Sequence, residues 1–131
     1  MLAALLAQEL AAYGVTATIS SAGVAAGDGQ PASSNTISAM AELGIELDDH
    51  RSHQLVREDL GADHFYCMGH HHALALIDNG VPAERVTVVN ADEGGVPDPF
   101  GGDLATYRRC RDVLAKAAER YAEELAAGAS R

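Results

Sequence analysis

The chain has no uninterrupted apolar run of the roughly 18 residues that a helix needs to cross a bilayer, so a membrane-spanning helix is not expected. It is poor in cysteine. Cys67 and Cys110 are its only two, too few for a disulfide scaffold and suited to a reducing compartment. It is also poor in positive charge. Nine Lys and Arg stand against 19 Asp and Glu, a formal net charge of −10 with His neutral. That balance argues against nucleic acid as a partner, because phosphate backbones select basic surfaces. It leaves room for a small phosphate site, since backbone amides at a helix N-terminus hold an anion without net positive charge. No internal repeat, low-complexity segment or interdomain linker is visible, and 131 residues suit one domain, 1–131, with one core. The stretch from Met1 to Ala7 is apolar, but it lacks a basic n-region and Gln8 and Glu9 follow at once. It reads as an amphipathic helix, and the protein as cytoplasmic.

What is present is an alternation of strand and helix signals. Leu2, Leu5, Leu6, Leu10 and Tyr13 recur at helical spacing, and Gly14 supplies a stop. Val15 to Ser20 is a β-branched run that predicts a strand, and Ser21 to Gln30, rich in Gly, Ala and Ser, predicts a loop. Ser33 or Ser34 can cap a helix carrying Ile37, Met40 and Leu43, closed by Gly44. A short helix is expected around His53 to Leu60. A second strand is expected over His64 to Met68, a helix from about His70 to Asp78, and a third strand over Arg85 to Asn90. Asp92 to Gly102 is a loop, and Asp103 can cap a last helix whose face shows Leu104, Tyr107, Cys110 or Arg111, Leu114, Tyr121 and Leu125. Alternating strands and helices imply an α/β fold with a parallel sheet covered on both faces. Such folds normally open with a strand, whose βα turn builds the ligand-binding switch point. This chain opens with the helix.

Four segments carry a resemblance. They are Ser21-Ala22-Gly23, Gly29-Gln30-Pro31-Ala32, Gly44-Ile45-Glu46-Leu47 with His50-Arg51-Ser52, and Asp98-Pro99-Phe100-Gly101-Gly102. In that order, over essentially the whole chain, they resemble the low-molecular-weight protein tyrosine phosphatase family, and the Asp-Pro-Phe-Gly-Gly form looks most like its protein arginine phosphatase branch. The resemblance implies a flavodoxin-like three-layer sandwich with strand order 2-1-3-4. It implies a two-step phosphoryl transfer, in which a cysteine thiolate attacks phosphorus and water hydrolyses the thiophosphate. It implies a phosphorylated protein as partner and no cofactor. By the same resemblance Asp98 is the general acid and base, Phe100 a wall of the substrate pocket, and Ser21, His50 and Ser52 supports of the phosphate loop. Without the family, Asp98-Pro99 reads as a turn, Phe100 as a loop anchor, and the serines and His50 as local capping.

The family's nucleophile sits in a Cys-x5-Arg loop just before the first helix. Six residues after Cys67 stands Ala73, and six after Cys110 stands Lys116, so neither cysteine makes that motif. Cys67, in a predicted strand, reads as a small buried hydrophobe, and Cys110 as structural. Met1 falls on the position that follows the family's Arg-Ser-Pro. The expectation is therefore a chain that starts at an internal Met, or one whose gene has lost the segment, without the loop and a strand of about six residues, and that does not run the reaction as given. The absent strand would be the central one. Self-association or strand exchange through that gap, or binding of a phosphorylated protein without turnover, are the alternative roles.

The run His70-His71-His72 raises a metal hypothesis. Adjacent helical residues point about 100° apart, so the three do not readily meet one ion. No metal site is expected, though a histidine-rich metal-binding module stands as the third alternative.

Overall fold

The computed structural model describes residues 1–23 and 28–129. Val24 to Gly27, in the middle of the Ser21–Gln30 loop, lie outside the described residues. Helix α1 spans Leu2–Ala12 and buries Leu5, Leu6 and Leu10 on one face. It ends where Gly14 takes φ +69° and Val15 donates its amide to Leu10 O at 3.0 Å, a left-handed stop that favours glycine. Helix α2, Ser34–Ala41, is capped by Ser33, whose side chain accepts the Thr36 amide at 3.2 Å. A 3-10 turn, Arg57–Gly61, stands where spacing predicts a short helix, and Asp59 closes it by accepting the Val56 amide at 2.9 Å.

Strand β1, Phe65–Cys67, leads into α3, His70–Asp78; strand β2 is Val86–Val88; and α4 runs over Leu104–Ala129. Asp103 caps α4 by accepting the Thr106 amide at 2.9 Å. The two strands pair in parallel, Phe65 with Val86, Tyr66 with Thr87 and Cys67 with Val88. Both are shorter than their apolar runs predict.

Side chains alternate across this sheet, and a core lies on each face. On one side Tyr66 and Val89 join Leu5, Leu6, Leu10, Met40, Leu114, Ala118 and Tyr121 from α1, α2 and α4. On the other Phe65, Cys67, Val86 and Val88 pack with Ala73 and Leu76 of α3. Helices therefore cover both faces of a parallel sheet, the flavodoxin-like α/β sandwich that the sequence implies. Arg111 lies in the buried stripe of α4, 9% exposed. It donates to Ala39 O at 2.9 Å and to Glu42 Oε1 at 2.6 Å, while Arg108 forks onto the same carboxylate. The two arginines fix α2 against α4, and their hydrogen bonds hold the Glu42 carboxyl down at about 2.

The segment Val15 to Ser20 differs from expectation. Val15 and Ile19 pack on the larger core, but the segment forms no strand, and among the described residues Thr16 to Ser20 make no backbone hydrogen bond. A strand exists only by its ladder, and among the described residues no neighbour pairs with it. Between this segment and β1 runs a cleft of about 830 Å³, lined by Thr16 to Gly23 on one wall and by His64 to Cys67 on the other. Among the described residues the segment next pairs at Gly23, which donates to His53 O at 2.9 Å and accepts from the Leu55 amide at 2.8 Å.

Candidate active site

In parallel α/β sheets, ligands bind beyond the C-terminal ends of the strands. Here that edge carries Met68-Gly69 after β1, the loop after β2, Ser20 to Gly23, and the start of α1. The loop after β2 folds back onto the end of β1, where Val96 donates to Met68 O at 2.6 Å. Gly95 makes this approach possible. It holds φ +98°, and a Cβ there would sit 2.5 Å from Met68 O, a distance no side chain tolerates.

This fold-back carries Asp98. Its Oδ1 accepts the Phe100 amide at 3.0 Å, an Asx turn, and its other oxygen has no hydrogen-bond partner among the described residues. Gly102 donates to Pro99 O at 2.8 Å and accepts from Asn35 Nδ2 at 3.3 Å, which ties the loop to α2. Phe100 stands out from the surface, 83% exposed. Asp98 lies close enough to His72 and Cys110 for its charge to act on both.

Ser21, His50 and Ser52 are gathered around one cavity of about 630 Å³, which they line together with Met1, Gln30 and Arg51. Ser52 is the keystone of its rim: its hydroxyl accepts the Gln30 amide at 3.0 Å, and its own amide donates to Gln30 O at 2.7 Å. Arg51 spends its guanidinium on the carbonyls of Asp48 and His50, at 3.2 and 2.8 Å. Asp98 and Phe100 do not line this cavity. The two groups of residues flank the N-terminal end of α1, one through Met1 and the other through Cys110, whose thiol feels both the Met1 amine and Asp98. The first amides of α1 have no partner inside the helix, and among the described residues no side chain caps them. With the helix dipole they form an anion-favouring surface.

Neither cysteine suits a nucleophile. Both are free. Burial pushes the Cys67 thiol up, and burial pushes Cys110 up despite an opposing pull from the Met1 amine, with the charge of Asp98 adding the smallest push. A reactive cysteine needs its thiol lowered instead. The histidines are spread over separate tasks. His53 meets Asp59 at 2.8 Å, His64 meets Thr87 at 2.7 Å, and the rings of His71 and His72 touch at 3.9 Å. Among the described residues no three metal-donor side chains gather. His72 is a site neighbour that sequence reasoning missed, because only the fold brings the start of α3 beside the Asp98 loop.

The family model for low molecular weight phosphotyrosine protein phosphatases matches residues 1–131. The chain belongs to this phosphatase family. Among curated proteins this phosphatase-family chain is similar to the protein-arginine-phosphatase of Geobacillus stearothermophilus, 35% identical over 113 residues, which is 82% of this chain and 76% of the relative. It is also similar to the protein-arginine-phosphatase of Bacillus subtilis (strain 168), 30% identical over 118 residues, 86% of this chain and 78% of the relative. Its fold superposes on the solved arginine phosphatase of G. stearothermophilus with a TM-score of 0.82 at 33% identity, covering 95% of this chain and 82% of that one. A low molecular weight protein tyrosine phosphatase from T. tengcongensis gives 0.85 at 30% identity, covering 94% and 88%. No helix of the described residues is long and apolar enough to cross a membrane.

Proposed function

We propose that this phosphatase-family chain serves hydrolysis of protein phosphoarginine, with Asp98 as the proton donor and acceptor. The Asp98 carboxylate carries the reading: the Phe100 amide orients one oxygen, and the other has no partner among the described residues, within electrostatic reach of His72. In the family reaction, sulfur attacks phosphorus as the bond from phosphorus to the leaving guanidinium nitrogen breaks. Asp98 would give its proton to that nitrogen, and in the second step take one from the water that displaces sulfur. Phe100, exposed beside the acid, would pack on the substrate's aliphatic stem, and Ser21, His50 and Ser52 would hold the rim that braces the phosphate loop. The relatives that are arginine phosphatases support the substrate class. The two free cysteines support a reducing cytoplasm as its compartment.

The nucleophile of this scheme is neither Cys67 nor Cys110, so the 131 residues alone should not turn over. The test joins a family-type strand and Cys-x5-Arg-Ser-Pro loop ahead of Met1 and compares release of phosphate from a phosphoarginine protein and from a phosphotyrosine peptide. Faster turnover of phosphoarginine supports the reading. A preference for phosphotyrosine overturns the substrate class. A second reading uses only the anion-favouring dipole of α1: the chain holds a phosphorylated protein and does not cleave it. Binding of a phosphoprotein by the 131-residue chain, competed by inorganic phosphate, would favour it.

A further inference from the structure

The segment that carries Asp98 leans on few supports. At one end Val96 donates to Met68 O at 2.6 Å. At the other Asp103 caps α4 by accepting the Thr106 amide at 2.9 Å. Between these ends the bonds are local: Asp98 Oδ1 accepts the Phe100 amide at 3.0 Å, and Pro99 O accepts the Gly102 amide at 2.8 Å. Apolar burial adds little, because Pro97 and Phe100 are exposed. Among the described residues one hydrogen bond reaches Pro97 to Gly102 from a distant element. Asn35 Nδ2 donates to Gly102 O at 3.3 Å, across 67 positions.

Asn35 has no other evident task. It is the second residue of α2, where asparagine is a weaker helix former than alanine or leucine. Ser33 already caps the helix by accepting the Thr36 amide. Asn35 is half-buried, and a carbonyl only accepts, so the amide nitrogen must be the atom that faces Gly102 O. The helix behind it is firmly held. Ala39 and Met40 are fully buried, and Arg108 and Arg111 grip Glu42 and Ala39 O. Gly102 itself has little slack. A Cβ there would sit 2.9 Å from the Thr106 side chain and 3.0 Å from Pro99 O. The turn is thus pressed on the first turn of α4 and tied sideways to α2.

We propose that Asn35 is a positioning residue for Asp98. Its bond to Gly102 O fixes the turn that holds the Phe100 amide, and that amide fixes the direction of the Asp98 carboxylate. A group held from a rigid helix keeps its geometry better than one held by loop contacts alone. The inference rests on the reading of Asp98 as the acid.

The first test uses the 131-residue chain and Asn35→Ala, a substitution that favours the helix in which it sits, so α2 stays formed. Amide hydrogen exchange should quicken by roughly two- to tenfold at Phe100 and Gly102, with Val96 and the amides of α2 unchanged. No change at Phe100 and Gly102, or an equal quickening throughout α2, would overturn the proposal. The second test uses the chain extended with the family-type strand and loop. Asn35→Ala should lower kcat for a poor leaving group by roughly three- to thirtyfold, leave KM nearly unchanged and cost less on a good leaving group. In an Asp98→Asn background it should cost almost nothing more, because no acid is left to position. Equal slowing of good and poor leaving groups, or a full second loss in that background, would overturn the role of Asn35. An Asp98→Asn variant as fast as its parent sinks the acid and this proposal with it. A slow Asp98→Asn beside an unaffected Asn35→Ala sinks this proposal alone.

Discussion

Asp98 Oδ1 accepts the backbone amide of Phe100 at 3.0 Å. One bond therefore sets the direction of the acid and the placement of the exposed ring. In the chain extended with a family-type strand and loop, Asp98→Asn keeps this bond and loses the proton. It should slow turnover of a poor leaving group by roughly 10²–10⁴-fold. A good leaving group, which needs little protonation, should suffer less. An Asn variant as fast as its parent on every leaving group would remove Asp98 from the mechanism.

The 131-residue chain should show no release of aryl phosphate above background, and its cysteines should behave as buried thiols. Cys67 and Cys110 both have raised thiols. Alkylation by iodoacetamide at pH 7.5 should be slow in the native state for both and rapid in denaturant, with Cys67 the slower because it is only 7% exposed. Turnover that vanishes in Cys67→Ser or Cys110→Ser would refute the assignment.

Acid should weaken the hold of α2 on α4. The Glu42 carboxyl is held at about 2, below its ordinary 4.5, first by the Arg108 hydrogen bond and then by that of Arg111. A depressed carboxyl stabilises the fold above its unfolded value and loses that contribution as pH falls from about 4.5 through about 2. Urea midpoints of the parent and of Glu42→Gln should differ near pH 6 and converge towards pH 2. Asp59 and Asp103 are also lowered, so the parent alone would not isolate the effect. A difference that stays constant down to pH 2 would rule out the ion pair as its source.

Met40 is fully buried in the larger core. Met40→Ala should cost about 2–4 kcal/mol of stability through lost contacts and the cavity left behind. Equilibrium unfolding measures it, and a loss below about 1 kcal/mol would mean that α2 relaxes into the space.

The site was legible where its chemistry lies within one short segment. Asp98, Pro99 and Phe100 are adjacent, and an Asx turn needs no distant partner, so local sequence reports it. Ser52 was legible as a support only through the resemblance, since its bonds to Gln30 cross 22 positions. His72 beside Asp98 was not legible, because only the packing of α3 under the loop after β2 joins them. The role of Arg111 was hidden for a related reason. A cation in an apolar stripe is interpretable only when its acceptors, Ala39 O and Glu42, are known.

By itself the sequence determined the helices, their stops and the alternation that makes a parallel α/β sandwich, because spacing, caps and left-handed glycines act within a few residues. It also determined that neither cysteine heads a Cys-x5-Arg loop. Tertiary structure decided which β-branched runs become strands. Val86 to Val88 finds β1 alongside and forms a ladder, whereas Val15 to Ser20, with as strong a local preference, has a cleft beside it and forms none. A strand's hydrogen bonds belong to its neighbour as much as to itself, and no local sequence records whether that neighbour is present.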